Sequence, residues 1–214
     1  MYKVNNTKIR ELGKLSVDAM KKLANQIQKD LEPLVSKKRY KHVLGVAETA
    51  KQLATKYGTN ENVAELAGLL HDMAKEKPLS EMQSLAMRHY PVLTDEVREQ
   101  GKLLHGFAAA AMAVENYGIL DQDVLAAIAH HTVGNSPMSL LEKIIFLADY
   151  IEKNRDFPGV RQLREVAGQD LDKAVLLGFD ITIRYLLETG ESIYIGTIIA
   201  RNVLLKEMAP RSAI

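Results

Sequence analysis

The stretch Glu61-Asn62-Val63-Ala64-Glu65-Leu66-Ala67-Gly68-Leu69-Leu70-His71-Asp72-Met73-Ala74-Lys75 decides the fold. Its apolar residues recur at helical rather than alternating spacing. Val63, Ala67 and Ala74 form one stripe, and His71 lies on that same stripe. The spacing predicts a helix over Glu61 to Lys75, closed by Pro78, which cannot continue it. An imidazole on an apolar face needs a partner, because burying a polar group unpaired costs several kcal/mol.

Moving outward, the same period holds almost everywhere. Met20, Leu23, Ala24, Ile27 and Leu31 stripe a helix from Ser16, and Pro33 breaks it. Ser36 is a natural cap for a helix over Lys37 to Tyr57, with Gly58 at its C-terminal stop. A polar stretch runs from Tyr90 to Gly101. An Ala-rich helix follows from Leu104 to Tyr117 and stops at Gly118, and Asp121 caps another ending near His131. Ser136-Pro137 reads as a hydroxyl cap with proline at the first helical position, leading into a helix that carries Leu140 to Glu152. Helices over Leu171 to Glu188 and Ser192 to Met208 complete an all-α chain.

The other histidines repeat the pattern of His71. His42 shares a stripe with Val46, Ala50 and Leu53; His105 with Ala108, Ala109 and Met112; His131 with Val124, Ala127 and Ile128. Asp149 lies on the stripe of Leu141, Ile145 and Ala148. A single core histidine is ordinarily bonded to a backbone carbonyl. Core-facing imidazoles and a carboxylate on five separate helices instead point to a shared metal site. His130 shares its stripe with Asp123 and is expected to face inward less than His131, and His89 is expected at the surface. There is no HExxH, no Glu-x-x-His, no G-x-S-x-G and no phosphate-binding G-x-x-x-x-G-K-[ST].

Composition narrows the classes. The 214 residues suit one medium domain, or one domain with an arm. Lys+Arg of 28 against Asp+Glu of 27 gives a net charge of +1, which argues against a nucleic-acid binder but leaves room for a local basic pocket. Zero cysteines exclude disulfides, thiolate metal sites and Cys nucleophiles, and fit a reducing cytoplasm. No segment has the ~18 consecutive apolar residues of a membrane span, and residues 1–7 have no signal-like apolar run, so a soluble, cytoplasmic protein without a membrane partner is expected.

The ordered set resembles the HD superfamily of metal-dependent phosphohydrolases, marked by a His, an adjacent His-Asp pair and a distal Asp. The phrases Arg39-Tyr40-Lys41-His42-Val43-Leu44-Gly45-Val46-Ala47-Glu48, Gly68-Leu69-Leu70-His71-Asp72-Met73-Ala74-Lys75, His130-His131-Thr132-Val133-Gly134 with Met138-Ser139, and Ala148-Asp149-Tyr150-Ile151-Glu152 with Asn154-Arg155 are similar to the YqeK group. Members of that group are symmetrical diadenosine tetraphosphate hydrolases. The resemblance implies a helical HD-type domain over 31–208, with a helical extension at 1–30 and a tail at 209–214.

It also implies a metal, usually iron in this group, held by His42, His71, Asp72 and Asp149, with a dinucleoside polyphosphate as substrate and ADP as product. Imidazole and carboxylate donors without thiolate suit iron, manganese or zinc. One metal is favoured, with Asp72 orienting the attacking water or bridging to a second ion. His105, His130 and His131 either complete that second site or contact phosphate and protonate the leaving group. Arg39, Lys75 and Arg155 are placed to neutralise phosphate charge, although Lys75 also reads as a solvated last-turn lysine and Lys37-Lys38 as a solvated charge run. A homodimer is allowed. The alternatives are a nucleotidase or cyclic-nucleotide phosphodiesterase of the same superfamily, or a non-catalytic HD-fold interaction module, against which the retained ligand set argues.

Overall fold

The computed structural model describes residues 10–209. Among these the architecture is all-α, with no strand and a single isolated bridge between Arg10 and Ile119. After a short 3-10 turn at Leu12–Lys14 come α1 (Val17–Leu31), α2 (Lys37–Tyr57), α3 (Glu61–Leu70), α4 (Leu79–His89), α5 (Asp95–Arg98) and α6 (Gly101–Tyr117). They are followed by α7 (Gln122–His130), α8 (Leu140–Ile151), α9 (Val160–Ala167), α10 (Leu171–Thr189) and α11 (Ile195–Met208).

Local chemistry sets the ends. Ser16, Ser36, Asn60, Asp121 and Asp170 each accept from backbone N–H groups at the start of the following helix. Gly58 and Gly118 close α2 and α6 in the left-handed region, at φ 76° and 66°. Helix α3 is the hub, packed on α1, α2, α6, α7 and α8, while α6 lies between α4 and α7. Residues 104–114 are buried all around α6, as a central helix requires. Leu12 and the α1 stripe of Met20, Leu23, Ala24, Ile27 and Leu31 join the same hydrophobic core.

Five differences from the sequence reading have physical causes. The helix expected over Glu61 to Lys75 ends at Leu70, and His71 to Glu76 form a tight turn. Its N–H groups at Met73 and Lys75 bond three residues back, to Leu70 and Asp72. Ser136 does not cap α8. Ser139 does, because Glu142 three residues on returns the bond in a capping box, whereas the residue three after Ser136 is a serine. Residues 79–89, unassigned from sequence, form α4 on the buried Met82 and Ala86, and the stretch expected to be polar holds α5 with Val97 buried. Residues 160–167 form α9, which buries Val160, Leu163 and Ala167. No helix among the described residues is long and apolar enough to cross a membrane.

Helices α2 and α3 meet through Gly68, where an added Cβ would lie 2.8 Å from the Ala47 Cα. Backbone on both sides leaves no flexible group to yield. Gly68→Ala should therefore destabilise the protein by about 1–3 kcal/mol, read as a lower urea midpoint with unchanged slope.

Candidate metal centre

Five segments deliver six polar side chains to one buried point. Helix α2 presents His42; the tight turn after α3 presents His71 and Asp72; α6 presents His105; the residue closing α7 is His131; and the last turn of α8 carries Asp149. His71 and His105 are fully buried, and His42, Asp72 and His131 nearly so. Ser36 ties the start of α2 to the tight turn, its N–H and hydroxyl donating to the Glu76 carboxylate at 2.6 and 2.7 Å.

The imidazoles are held in one sense. His71 Nδ1 donates to the Gly68 carbonyl at 2.7 Å, His131 Nδ1 to the Ile128 carbonyl at 2.7 Å, and His105 Nδ1 to the Gly101 carbonyl at 3.1 Å. His42 Nδ1 donates to the Glu152 carboxylate at 3.1 Å. With Nδ1 carrying the proton, each Nε2 lone pair faces the centre. His42 Nε2 lies 3.0 Å from Asp149 Oδ1 and 3.8 Å from Asp72 Oδ2; His71 Nε2 lies 3.5 Å from Asp72 Oδ2 and 4.0 Å from Asp149 Oδ1. Two bonds of about 2.1 Å to one ion place their donors roughly 3–4 Å apart. His42 Nε2, His71 Nε2 and Asp72 Oδ1 are buried without a formed hydrogen bond, which is costly unless a cation takes them. The residues present thus fit a divalent metal.

Asp72 belongs to two groups of donors. Its Oδ2 faces His42 and His71, while its Oδ1 lies 3.2 Å from His105 Nε2 and 3.6 Å from His131 Nε2. Ligand atoms of Asp72, His105 and His131 come as close together as those of His42, His71 and Asp72, or of His71, His131 and Asp149.

A family model for the HD domain matches residues 39–154, a span that begins at Arg39 and contains all six converging side chains. The chain belongs to the HD-domain family. It is 45% identical, over 83% of its length and 94% of the relative's, to a protein of Halalkalibacterium halodurans named bis(5'-nucleosyl)-tetraphosphatase, symmetrical. Proteins of the same name from Bacillus subtilis and Staphylococcus aureus are 36% and 37% identical, over 78% and 86% of this chain and 89% and 92% of theirs. The crystal structure of a predicted HD superfamily hydrolase involved in NAD metabolism, from Clostridium acetobutylicum, superposes with a TM-score of 0.82 at 44% identity, over 86% of this chain and 97% of that one.

In this HD domain three cations rim the cluster. Arg39 donates to Asp72 Oδ2 at 2.7 Å, and Arg155 donates to the Asp149 carbonyl at 2.7 Å and to its Oδ1. Lys75 Nζ lies 3.1 Å from His105 Nε2, so it is turned inward rather than solvated. His130 is not brought to the cluster: its Nδ1 bonds Glu142 at 2.9 Å and its ring packs edge-on against Phe107. His89, expected at the surface, is half-buried and paired with Glu115 at 2.9 Å, away from the cluster, because the unforeseen α4 folds it onto α6.

Three supporting residues escaped the sequence reading. Glu152 is buried against His42, Arg164 of α9 donates to the carbonyls of Ile151, Glu152 and Arg155, and Glu142 gathers His130, Asn135 and Ser139 at the base of the loop that carries His131. The available signal for Glu152 was its place three residues after Asp149 on the same helix.

Burial favours protonation of Asp72 and Asp149, yet both are held well below the usual carboxylate range. For Asp72 the imidazoles of His71, His105 and His131 outweigh it; for Asp149 His42, Arg155 and His71 do. Burial also lowers Lys75, and lowers His105 from 6.5 to about 4. A histidine kept neutral in the fold but free to protonate when unfolded stabilises above the unfolded value and loses that contribution as pH falls through the folded one. Urea unfolding of the metal-free protein should therefore show stability falling between pH 6.5 and about 4, and His105→Asn should flatten that part of the slope.

Proposed function

We propose that this HD-domain protein hydrolyses diadenosine tetraphosphate symmetrically, to two ADP. The observation that carries the reading is a metal-fit His/Asp cluster rimmed by three inward cations, in a chain 36–45% identical to relatives named for that activity. His42, His71, Asp72 and Asp149 hold one divalent metal, iron in this reading, with manganese and zinc the other candidates for the same donors. The metal supplies Lewis acidity to phosphate and lowers the pKa of the attacking water toward neutrality.

The chain's own residues do the rest. Asp72 orients the water with the oxygen it does not give to the His42 and His71 side. Arg39 has a buried Nε without a hydrogen-bond partner, a donor suited to a phosphate oxygen. Together with Lys75 and Arg155 it seats the two phosphates of one ADP half. Water gives up a proton to solvent and adds to that half's outer phosphorus, the bridging P–O bond breaks, and the second ADP departs with the bridging oxygen. A phosphate of second pKa about 6 leaves largely as an anion, so cations matter more to it than a proton donor does. His105 and His131 turn their Nε2 edges to the phosphates; the substrate's negative charge favours protonation of His105, whose Nε2 then donates to a phosphate oxygen. His130 acts at one remove, through Glu142 and the loop that carries His131. Positioning and charge neutralisation are the main tools of phosphoryl transfer, and this site supplies both.

The decisive assay incubates diadenosine tetraphosphate with enzyme and ferrous iron or manganese and separates the nucleotides. ADP alone is expected; AMP plus ATP would overturn symmetrical cleavage, and rapid AMP dephosphorylation without tetraphosphate turnover would favour a nucleotidase. Asp72→Ala should weaken metal binding by more than ~100-fold and abolish turnover, whereas His89→Ala should change neither. Equal losses in both variants would mean that the wrong histidines have been chosen.

A further inference from the structure

We infer that Glu152 is a positioning residue that locks His42 in its metal-binding tautomer; this rests on the assignment of His42 as a ligand above. Three of the four central imidazoles donate Nδ1–H to a backbone carbonyl of their own helix or turn. His42 alone donates to a side-chain carboxylate, 110 residues away in sequence. Glu152 is 1% exposed, and both of its oxygens are committed to accepting. Oε1 takes His42 Nδ1–H at 3.1 Å, and Oε2 takes the Asn154 backbone N–H at 2.7 Å and its side-chain Nδ2–H at 2.8 Å. Arg164 fixes the backbone beneath by donating to the Glu152 carbonyl at 2.8 Å and the Arg155 carbonyl at 2.9 Å.

The packing leaves this carboxylate room it would not otherwise have. Gly45, one turn along α2 from His42, faces Glu152, and a Cβ there would collide with Oε2 and come within 3.1 Å of Cδ. An acceptor on Nδ1 does two things for a ligating imidazole. It holds the proton on Nδ1, so that Nε2 keeps its lone pair, and a full negative charge there raises the basicity of Nε2 more than a carbonyl does. A glutamine of the same shape cannot substitute. Donors arrive on both sides of the group, so either orientation of the amide sets an NH2 against an N–H.

Glu152→Gln is therefore the probe, in the full chain stripped of metal and titrated with ferrous iron, manganese or zinc against a competing chelator. Affinity should fall about 10–100-fold, with the metal-free protein still folding cooperatively. Gly45→Ala, which pushes the carboxylate aside, should act in the same direction. Nitrogen-15 NMR of the metal-free proteins adds a reading that a merely structural role would leave unmoved: His42 should be protonated on Nδ1 in the wild type and shift toward the Nε2 tautomer in Glu152→Gln. Wild-type affinity in Glu152→Gln alongside lost affinity in His42→Ala would overturn this inference alone. Wild-type affinity in His42→Ala would overturn the ligand assignment itself.

Discussion

Two carboxylates set within the same few ångströms, Asp72 buried and Asp149 half-buried, are the constraint that the rest of the structure answers. Asp72 and Asp149 each oppose the ionisation of the other, and burial opposes both. An unpaired buried charge costs several kcal/mol, so such a pair survives only inside a shell of positive or donating groups. The fold supplies that shell from every side. Arg39 and His42 come from α2, His71 from the tight turn, His105 and His131 from α6 and the end of α7, and Arg155 from the segment after α8.

Bringing those groups into range dictates how the helices pack. Holding imidazole and carboxylate atoms from different elements 3–4 Å apart needs helices packed at fixed, close separations. Small residues therefore stand at the crossings that matter. Gly68 rests on the Ala47 backbone, Gly106 faces the Ala129 carbonyl, and Ala108 to Ala111 are fully buried along α6. The early end of α3 belongs to the same logic. Ending the regular helix at Leu70 and tightening the next turn leaves His71 free to donate Nδ1–H to Gly68 while Nε2 reaches the centre.

What could be read from sequence followed from periodicity, and what could not followed from tertiary partners. His42, His71, His105, His131 and Asp149 lay on apolar stripes, where their burial was already implied, whereas Asp72 was marked only by the family resemblance; the capping residues Ser36 and Asp121 stood next to their helices. Helix α9 is only eight residues long and half polar; Val160, Leu163 and Ala167 recur at i, i+3 and i+7, a stripe too short to stand out in sequence, and docking on α8 and α10 buries it. Ser136 and Ser139 offer the same hydroxyl, and the choice between them turned on a carboxylate that closes the capping box. Glu152 closes α8 and its partner lies 110 residues earlier, so only its spacing from Asp149 hinted at a role. His130 and His131 are adjacent, and the roughly 100° between neighbours on a helix sends one to Glu142 and the other to Asp72, as their different stripes imply.

A chain of net charge +1 exerts little long-range pull on a polyanion, so recognition has to be local. The site keeps its cations without neutralising them against solvent-exposed acids. Arg39 and Arg155 are parked on Asp72 and Asp149, and Lys75 points at His105. In the proposed mechanism those two carboxylates also hold the metal, so the arginines and the metal compete for the same negative charge. Metal taken up by Asp72 and Asp149 weakens their hold on the guanidiniums, which then turn more readily to phosphate. Phosphate drawing the guanidiniums away returns carboxylate charge to the metal. By linkage the two effects are one free energy, so metal and polyphosphate strengthen each other's binding at a site whose charges would otherwise cancel.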